Sequence, residues 1–289
     1  MRWRTIAVAG LGFTAACSDD ASLLDELDAH QGAHLTYYSS ASLQACAGTY
    51  EHVDNFLPFV AGELGLSLPA DTRYLWLAHE DFPRSGCGPG LGGCALAGAG
   101  VGKSPALLHE LVHVVAAEHS LNSWPFFAEG LATAYDPWSG ESMGPRYSIS
   151  PQGGALIDPR PMMERPAADV DYGLAGSFVS FLIARHGPEP LVATLQELSG
   201  RPRTLGTLRR VFGEIYGLDL DAEVELFIGG TTCPTEPWPT LVYECAAPEV
   251  AWEDGSRWRY SKAMECGSDT VMGGVGPEKA WKSIHSVTL

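Results

Sequence analysis

Apolar and polar positions along the chain fall into two periods, and their order predicts the architecture. His34 to Tyr38 alternates as a strand does, and Thr72 to His79 (TRYLWLAH) reads as a second strand. Between them, Ala41 to Leu64 carries a helical stripe through Leu43, Tyr50, Val53, Phe56, Leu57, Val60 and Leu64. Leu107, Leu108, Leu111, Val112, Val114 and Val115 mark a buried helix. Ser104 is placed to cap it, and Pro105 to occupy its first position, where a missing N–H costs nothing. The Asn122-Ser123-Trp124-Pro125 signal ends that helix and starts another. Further helices are expected at Gly173–His186, stopped by Gly187-Pro188, then at Glu189–Leu198, Thr204–Tyr216 and Leu218–Phe227.

Two stretches lack this regularity. Asp81 to Gly100 is glycine-rich and reads as a loop, and the Pro- and Gly-rich segment after Asp136, to about Ala168, is irregular. A loop that long usually serves a function, and Met162-Met163 would give it an apolar contact at a cleft. From Thr231 the composition turns to Pro, Cys and Trp. Short strands are expected around Tyr243, Val250–Trp252, Arg257–Tyr260 and Ile284–Leu289, the last ending at the final residue as in an incomplete module. The fold class is therefore α+β: a small mixed β-sheet, a buried helix, a mainly helical C-terminal half and a β-rich tail.

Charge and leader narrow the setting. Residues 1–16 combine Arg2 and Arg4, a short apolar run and small residues before Cys17, which is an export signal. Thr14-Ala15-Ala16-Cys17 reads as a lipobox with Cys17 acylated; the other reading is cleavage after Ala16. An acidic tether, 17–33, follows. Losing two arginines with the leader takes the formal charge from −17 to −19, which opposes binding to nucleic acid or an anionic membrane. The expected localisation is the bacterial cell envelope as a lipoprotein, or otherwise secretion, with membrane contact only through a lipid on Cys17.

Cysteine usage agrees with export. Besides Cys17, three cysteines (46, 87, 94) precede the buried helix and three (233, 245, 266) lie in the tail. Cys87 and Cys94 are expected to pin their loop at the rim of the cleft. If all six pair, at least one bridge joins the two regions. A zinc site made of cysteines is the competing reading, but no C-x-x-C pair supports it.

The chemistry sits on the buried helix. His109-Glu110-Leu111-Val112-His113 is an HExxH motif, and residues four apart share a helix face, so both imidazoles can reach one ion. A catalytic zinc takes three protein ligands and leaves a position for water. Glu129, fifteen intervening residues beyond His113 and on the next helix, is the candidate third ligand. One Zn²⁺ is the cofactor expected from this donor set. Glu110, beside the first ligand, is the candidate general base.

HELVH followed by WPFFAEGLATAY resembles the gluzincin metallopeptidases, also called the peptidase MA-like group, whose pattern is HExxH followed by an E-G-x-A-type helix. The resemblance spans about residues 70 to 230 and implies a zincin-like fold, with His109, His113 and Glu129 as zinc ligands and Glu110 as base. It extends to Tyr172-Gly173-Leu174-Ala175-Gly176-Ser177-Phe178, similar to the helix whose leading tyrosine hydrogen-bonds the transition state in aminopeptidase-like members. Tyr172 takes that position, with His186 and His119 as the next candidates. Two departures stand out. Many members place an aspartate near Thr133, a position from which Thr133, or Asp136 a turn later, would accept from a ligand imidazole. The aminopeptidase G-x-M-E-N strand is replaced by Ala95-Leu96-Ala97-Gly98-Ala99-Gly100-Val101, which has no acid for a substrate amino terminus, though a peptide could still pair along it as an edge strand.

The resulting domains are a signal peptide (1–16), the tether (17–33), a gluzincin-like metallopeptidase domain (34–230) and a Cys/Trp-rich β module (231–289). The expected function is peptide-bond hydrolysis by a zinc-activated water, on a peptide or protein substrate. Two other classes stand beside it: an inactive relative kept as a binding or adhesion module, and a metal-dependent hydrolase of a non-peptide substrate.

Overall fold

The computed structural model describes residues 23–88, 90–135 and 158–229, together with residue 266 and two short tail strands. The leader, Cys17, Asp136, Cys233, Cys245, and the tail strands expected at Tyr243 and Ile284–Leu289 lie outside the described residues.

The architecture is α+β: a five-stranded mixed sheet followed by a mainly helical half. The strands are β1 (Leu27–Gln31), β2 (Thr36–Ser40), β3 (Arg73–Trp76), β4 (Gly93–Leu96) and β5 (Ala99–Gly102), and across the sheet they run β1-β2-β3-β5-β4. β1 and β4 are antiparallel to their neighbours, while β2, β3 and β5 run parallel. The crossover from β2 to β3 is helix α1 (Ala47–Glu63). Side chains alternate across the sheet. Tyr37, Tyr74 and Trp76 face the main core, while Leu75, Leu77 and Val101 meet Leu23 and Phe82 in a smaller cluster on the other face.

Two sequence expectations change here. Residues 27–31, read as part of the acidic tether, form β1. Four of its five residues are exposed, so an edge strand wet on both faces looks polar in sequence. The Asp54 carboxylate fixes the turn into β2, accepting from the backbone N–H groups of Ala33, His34 and Leu35 at 2.8–3.0 Å. The stretch Asp81–Gly100, read as a loop, instead holds a 3-10 turn (Phe82–Ser85), strand β4 and the start of β5. The Cys87–Cys94 disulfide ties that turn region to β4.

Helix α2 (Leu108–Glu118) carries HELVH and packs on the sheet, and α3 (Pro125–Tyr135) carries Glu129. After them come the short α4 (Arg160–Met163), then α5 (Tyr172–His186), α6 (Glu189–Leu198), α7 (Leu205–Tyr216) and α8 (Leu220–Gly229). Met163 is fully buried in the main core, so it is not a cleft contact. In the tail, β6 (Trp252–Glu253) pairs antiparallel with β7 (Arg257–Trp258). Cys46, just before α1, is bonded to Cys266, whose carbonyl also accepts from Ala47 N–H at 2.9 Å. This is the expected bridge between the two regions.

Candidate metal centre

Helix α2 begins three residues later than its sequence suggests. Its N-cap is Leu107, with no side-chain cap, and Ser104 and Pro105 lie ahead of it. The sheet supplies the reason. Trp76 Nε1 donates to the Lys103 carbonyl (3.1 Å), Tyr74 Oη to that of Ser104 (2.7 Å) and Tyr37 Oη to that of Pro105 (2.7 Å). Three successive carbonyls are thereby held by buried aromatic side chains instead of by helical N–H groups. The Tyr74 hydroxyl also accepts from Leu107 N–H at 2.8 Å, doing the work of a cap.

Small residues let the elements close on one another. A methyl group at Gly100 would stand 3.1 Å from Leu111, and one at Gly102 2.9 Å from the Tyr74 hydroxyl, so α2 lies close on β5. Gly93, on edge strand β4, faces the same way: a methyl there would stand 2.6 Å from the Val101 carbonyl oxygen and 3.0 Å from Oε1 of Glu110. The buried carboxylate of Glu110 is thus set against the backbone of β4. Helices α3 and α5 meet at a similarly bare crossing, where a methyl at Gly130 would stand 2.7 Å from the Ala175 carbonyl oxygen and one at Gly176 2.6 Å from the Thr133 methyl.

These placements bring His109, His113 and Glu129 together, and among the described residues they form a group able to hold a metal ion. His109 Nε2 and His113 Nε2 are 3.2 Å apart, and Glu129 Oε2 lies 3.1 Å from the first and 3.2 Å from the second. Ligands about 2.0–2.1 Å from a tetrahedral zinc stand about 3.3 Å from one another, so three near-equal edges of this length fit one face of such a coordination shell. The three side chains are only 8%, 12% and 14% exposed. Burial works against the charged form of Glu129, but the two imidazoles outweigh it and bring its pKa down to about 2. Burial also disfavours protonated His113. Hydrogen bonding to Glu129 and the charges of Glu129 and Glu110 more than offset this, so its pKa is raised. A proton and a metal ion therefore compete for the same nitrogen.

Tyr172 opens α5, whose N-terminus is capped by Asp171 Oδ1 accepting from Leu174 N–H at 2.9 Å. Its ring stacks beside that of His109, with centroids 5.7 Å apart, and it is 37% exposed. The two alternative histidines are engaged elsewhere. His119 Nε2 is 2.9 Å from the Ser67 carbonyl oxygen, and His186, at the far end of α5, is 3.1 Å from Glu223. Thr133 is not an acceptor for a ligand imidazole: its methyl lies at Gly176, and its buried hydroxyl meets no hydrogen-bond partner among the described residues.

Asn122 was legible in sequence only as a turn signal. In the structure its Nδ2 donates to the His113 carbonyl at 2.9 Å. The segment expected to offer an edge to a peptide divides at Gly98, where φ is +70°. β5 is paired on both sides, and among the described residues the edge strand is β4.

The chain matches no protein-family model and no curated protein sequence. Among solved structures it is similar to Legionella pneumophila aminopeptidase A in complex with aspartic acid, at 15% sequence identity and a TM-score of 0.41. The likeness covers 71% of this chain and 28% of that one, so the chain spans little more than a quarter of that protein. The functional reading rests on the site and not on this likeness.

Proposed function

We propose that the protein is an exported zinc-dependent peptidase, with His109, His113 and Glu129 holding the ion and Glu110 acting as general base. The observation that carries this reading is the convergence of two imidazole nitrogens and one carboxylate oxygen within 3.2 Å of one another, with the buried Glu110 next to the first ligand on the same helix. Zinc bound there would lower the pKa of a water molecule towards neutrality and polarise a substrate carbonyl.

The residues of the chain do the rest. Glu110 accepts the proton of the attacking water and delivers it to the leaving amine, a role that a buried carboxylate set against β4 can fill. Tyr172, exposed beside His109, donates its hydroxyl to the oxyanion developing on the substrate carbonyl. The outer edge of β4, unpaired among the described residues, offers backbone groups to an extended peptide. Neither β4 nor β5 carries a carboxylate to anchor a free amino terminus, which favours recognition through the peptide main chain. Two disulfides agree with work outside the cytoplasm, and no helix among the described residues is long and apolar enough to cross a membrane.

The test is hydrolysis of an unbiased peptide library by wild type, Glu110→Gln and chelator-treated protein, with zinc measured in each. The expected result is cleavage by wild type alone, with zinc retained in the Gln variant and turnover there reduced by about 10²- to 10⁴-fold. Full zinc occupancy without cleavage in any sample would replace the peptidase with a zinc-binding module.

A further inference from the structure

We propose that Tyr74 is a positioning residue for the metal centre, holding the first turn of α2 to the sheet through its hydroxyl. The proposal rests on the metal-site reading and is independent of whether the site cuts peptides.

The chain places its chemistry where a helix is weakest. α2 starts at Leu108, so His109 and Glu110 both stand in its first turn, whereas His113 lies one turn further in. The first four N–H groups of a helix have no partner within it, and helix ends fray. No side chain of the N-cap residue Leu107 counters this. A frayed first turn would carry His109 away from His113 and Glu129, and Glu110 with it.

Tyr74 supplies the missing hold. Its hydroxyl donates to the Ser104 carbonyl at 2.7 Å and accepts from Leu107 N–H at 2.8 Å, bridging the two ends of the turn that leads into α2. One O–H and its lone pairs allow both bonds at once. The residue is fully buried, and two glycines of β5 clear its path: a methyl at Gly100 would stand 3.4 Å from the ring, and one at Gly102 2.9 Å from the hydroxyl. Its strand, β3, is paired with β2 on one side and β5 on the other, so the helix start is referenced to the middle of the sheet.

Tyr37, opposite Tyr74 on β2, looks equivalent and is not. It too is buried, and its hydroxyl donates to the Pro105 carbonyl at 2.7 Å, but this bond ends ahead of the helix and engages no helical N–H. Removing either hydroxyl unpairs a carbonyl and costs stability. Only the loss of the Tyr74 hydroxyl also releases the first turn. Groups that orient a metal ligand are typically worth about 10- to 100-fold in metal affinity.

The two tyrosines therefore separate positioning from mere support. Zn²⁺ affinity of the full chain would be measured by competition with a chelating dye for wild type, Tyr74→Phe and Tyr37→Phe, with thermal unfolding and amide exchange followed on the metal-free proteins. The expected result is affinity about 10- to 100-fold weaker in Tyr74→Phe and near the wild-type value in Tyr37→Phe, although both melt earlier. In Tyr74→Phe, exchange should quicken at residues 107–111 and keep its wild-type rate at 112–116. If Tyr74→Phe does not fold, Gly102→Ala takes its place, because it keeps the phenol while crowding its hydroxyl, and the same loss of affinity is expected. Affinity that falls equally in both tyrosine variants, or that stays at the wild-type value in Tyr74→Phe or its substitute, would overturn the proposal and leave the metal site standing. A wild-type protein that binds no Zn²⁺ would overturn both.

Discussion

Helix α5 has a tyrosine, histidine and glutamate group at each end, about 21 Å apart at 1.5 Å per residue. At one end Tyr172 stacks beside His109, and His109 and His113 close on Glu129 at 3.1 and 3.2 Å. At the other, Tyr216 meets His186 edge-on at 5.4 Å, and His186 lies 3.1 Å from the buried Glu223. The residue types and distances nearly coincide. The difference is Arg185, which donates to Glu223 at 3.2 Å and balances its charge with a permanent cation. Glu129 is held instead by two imidazoles, groups that can present lone pairs to a metal ion when neutral. We read a histidine beside a glutamate as a structural clasp where an arginine completes it, and as a candidate ligand set where a second histidine does.

Three substitutions would break or sharpen this contrast. The largest effect is expected from Glu129→Ala, which should abolish bound zinc and all turnover, as read by metal analysis of the purified protein; full zinc occupancy would dissolve the distinction between the two ends. Next is Tyr172→Phe, which should lower turnover by about 100-fold with zinc unchanged if its hydroxyl meets the oxyanion. Steady-state kinetics showing wild-type turnover would reduce Tyr172 to a neighbour of His109. The smallest effect belongs to the far end. Glu223→Gln should cost about 1 to 2 kcal/mol in urea unfolding, a figure discounted because Arg185 is 43% exposed, and should leave zinc content and turnover untouched.

The sequence made one end of α5 readable and the other ambiguous, for a physical reason. HELVH and Glu129 announce themselves because ligand chemistry demands particular residues at helical spacing. The partner of His186 lies 37 residues further along, and no local pattern connects them. The helices that bury one stripe were legible to within a few residues. The start of α2 was not, because Tyr37, Tyr74 and Trp76 override the local preference of Ser104-Pro105 from strands far away in sequence. Strands β4 and β5 were read partly as loop and partly as one edge strand, because their glycines erase the alternation while permitting the close approach of α2 and Glu110. Asn122 was visible as a turn former, but what the turn brings together could be read only in space.

The bond between Cys46 and Cys266 closes a loop of 220 residues, which encloses strands β3 to β5, the three proposed metal ligands and the later helices. On a chain-entropy account a loop of that size lowers the freedom of the unfolded chain by about 5 kcal/mol at room temperature. It also sets how the molecule answers damage. A single cut anywhere between those cysteines leaves both pieces joined and their packed surfaces held together. Where a severed fragment would otherwise diffuse away, this bond turns scission into a nick.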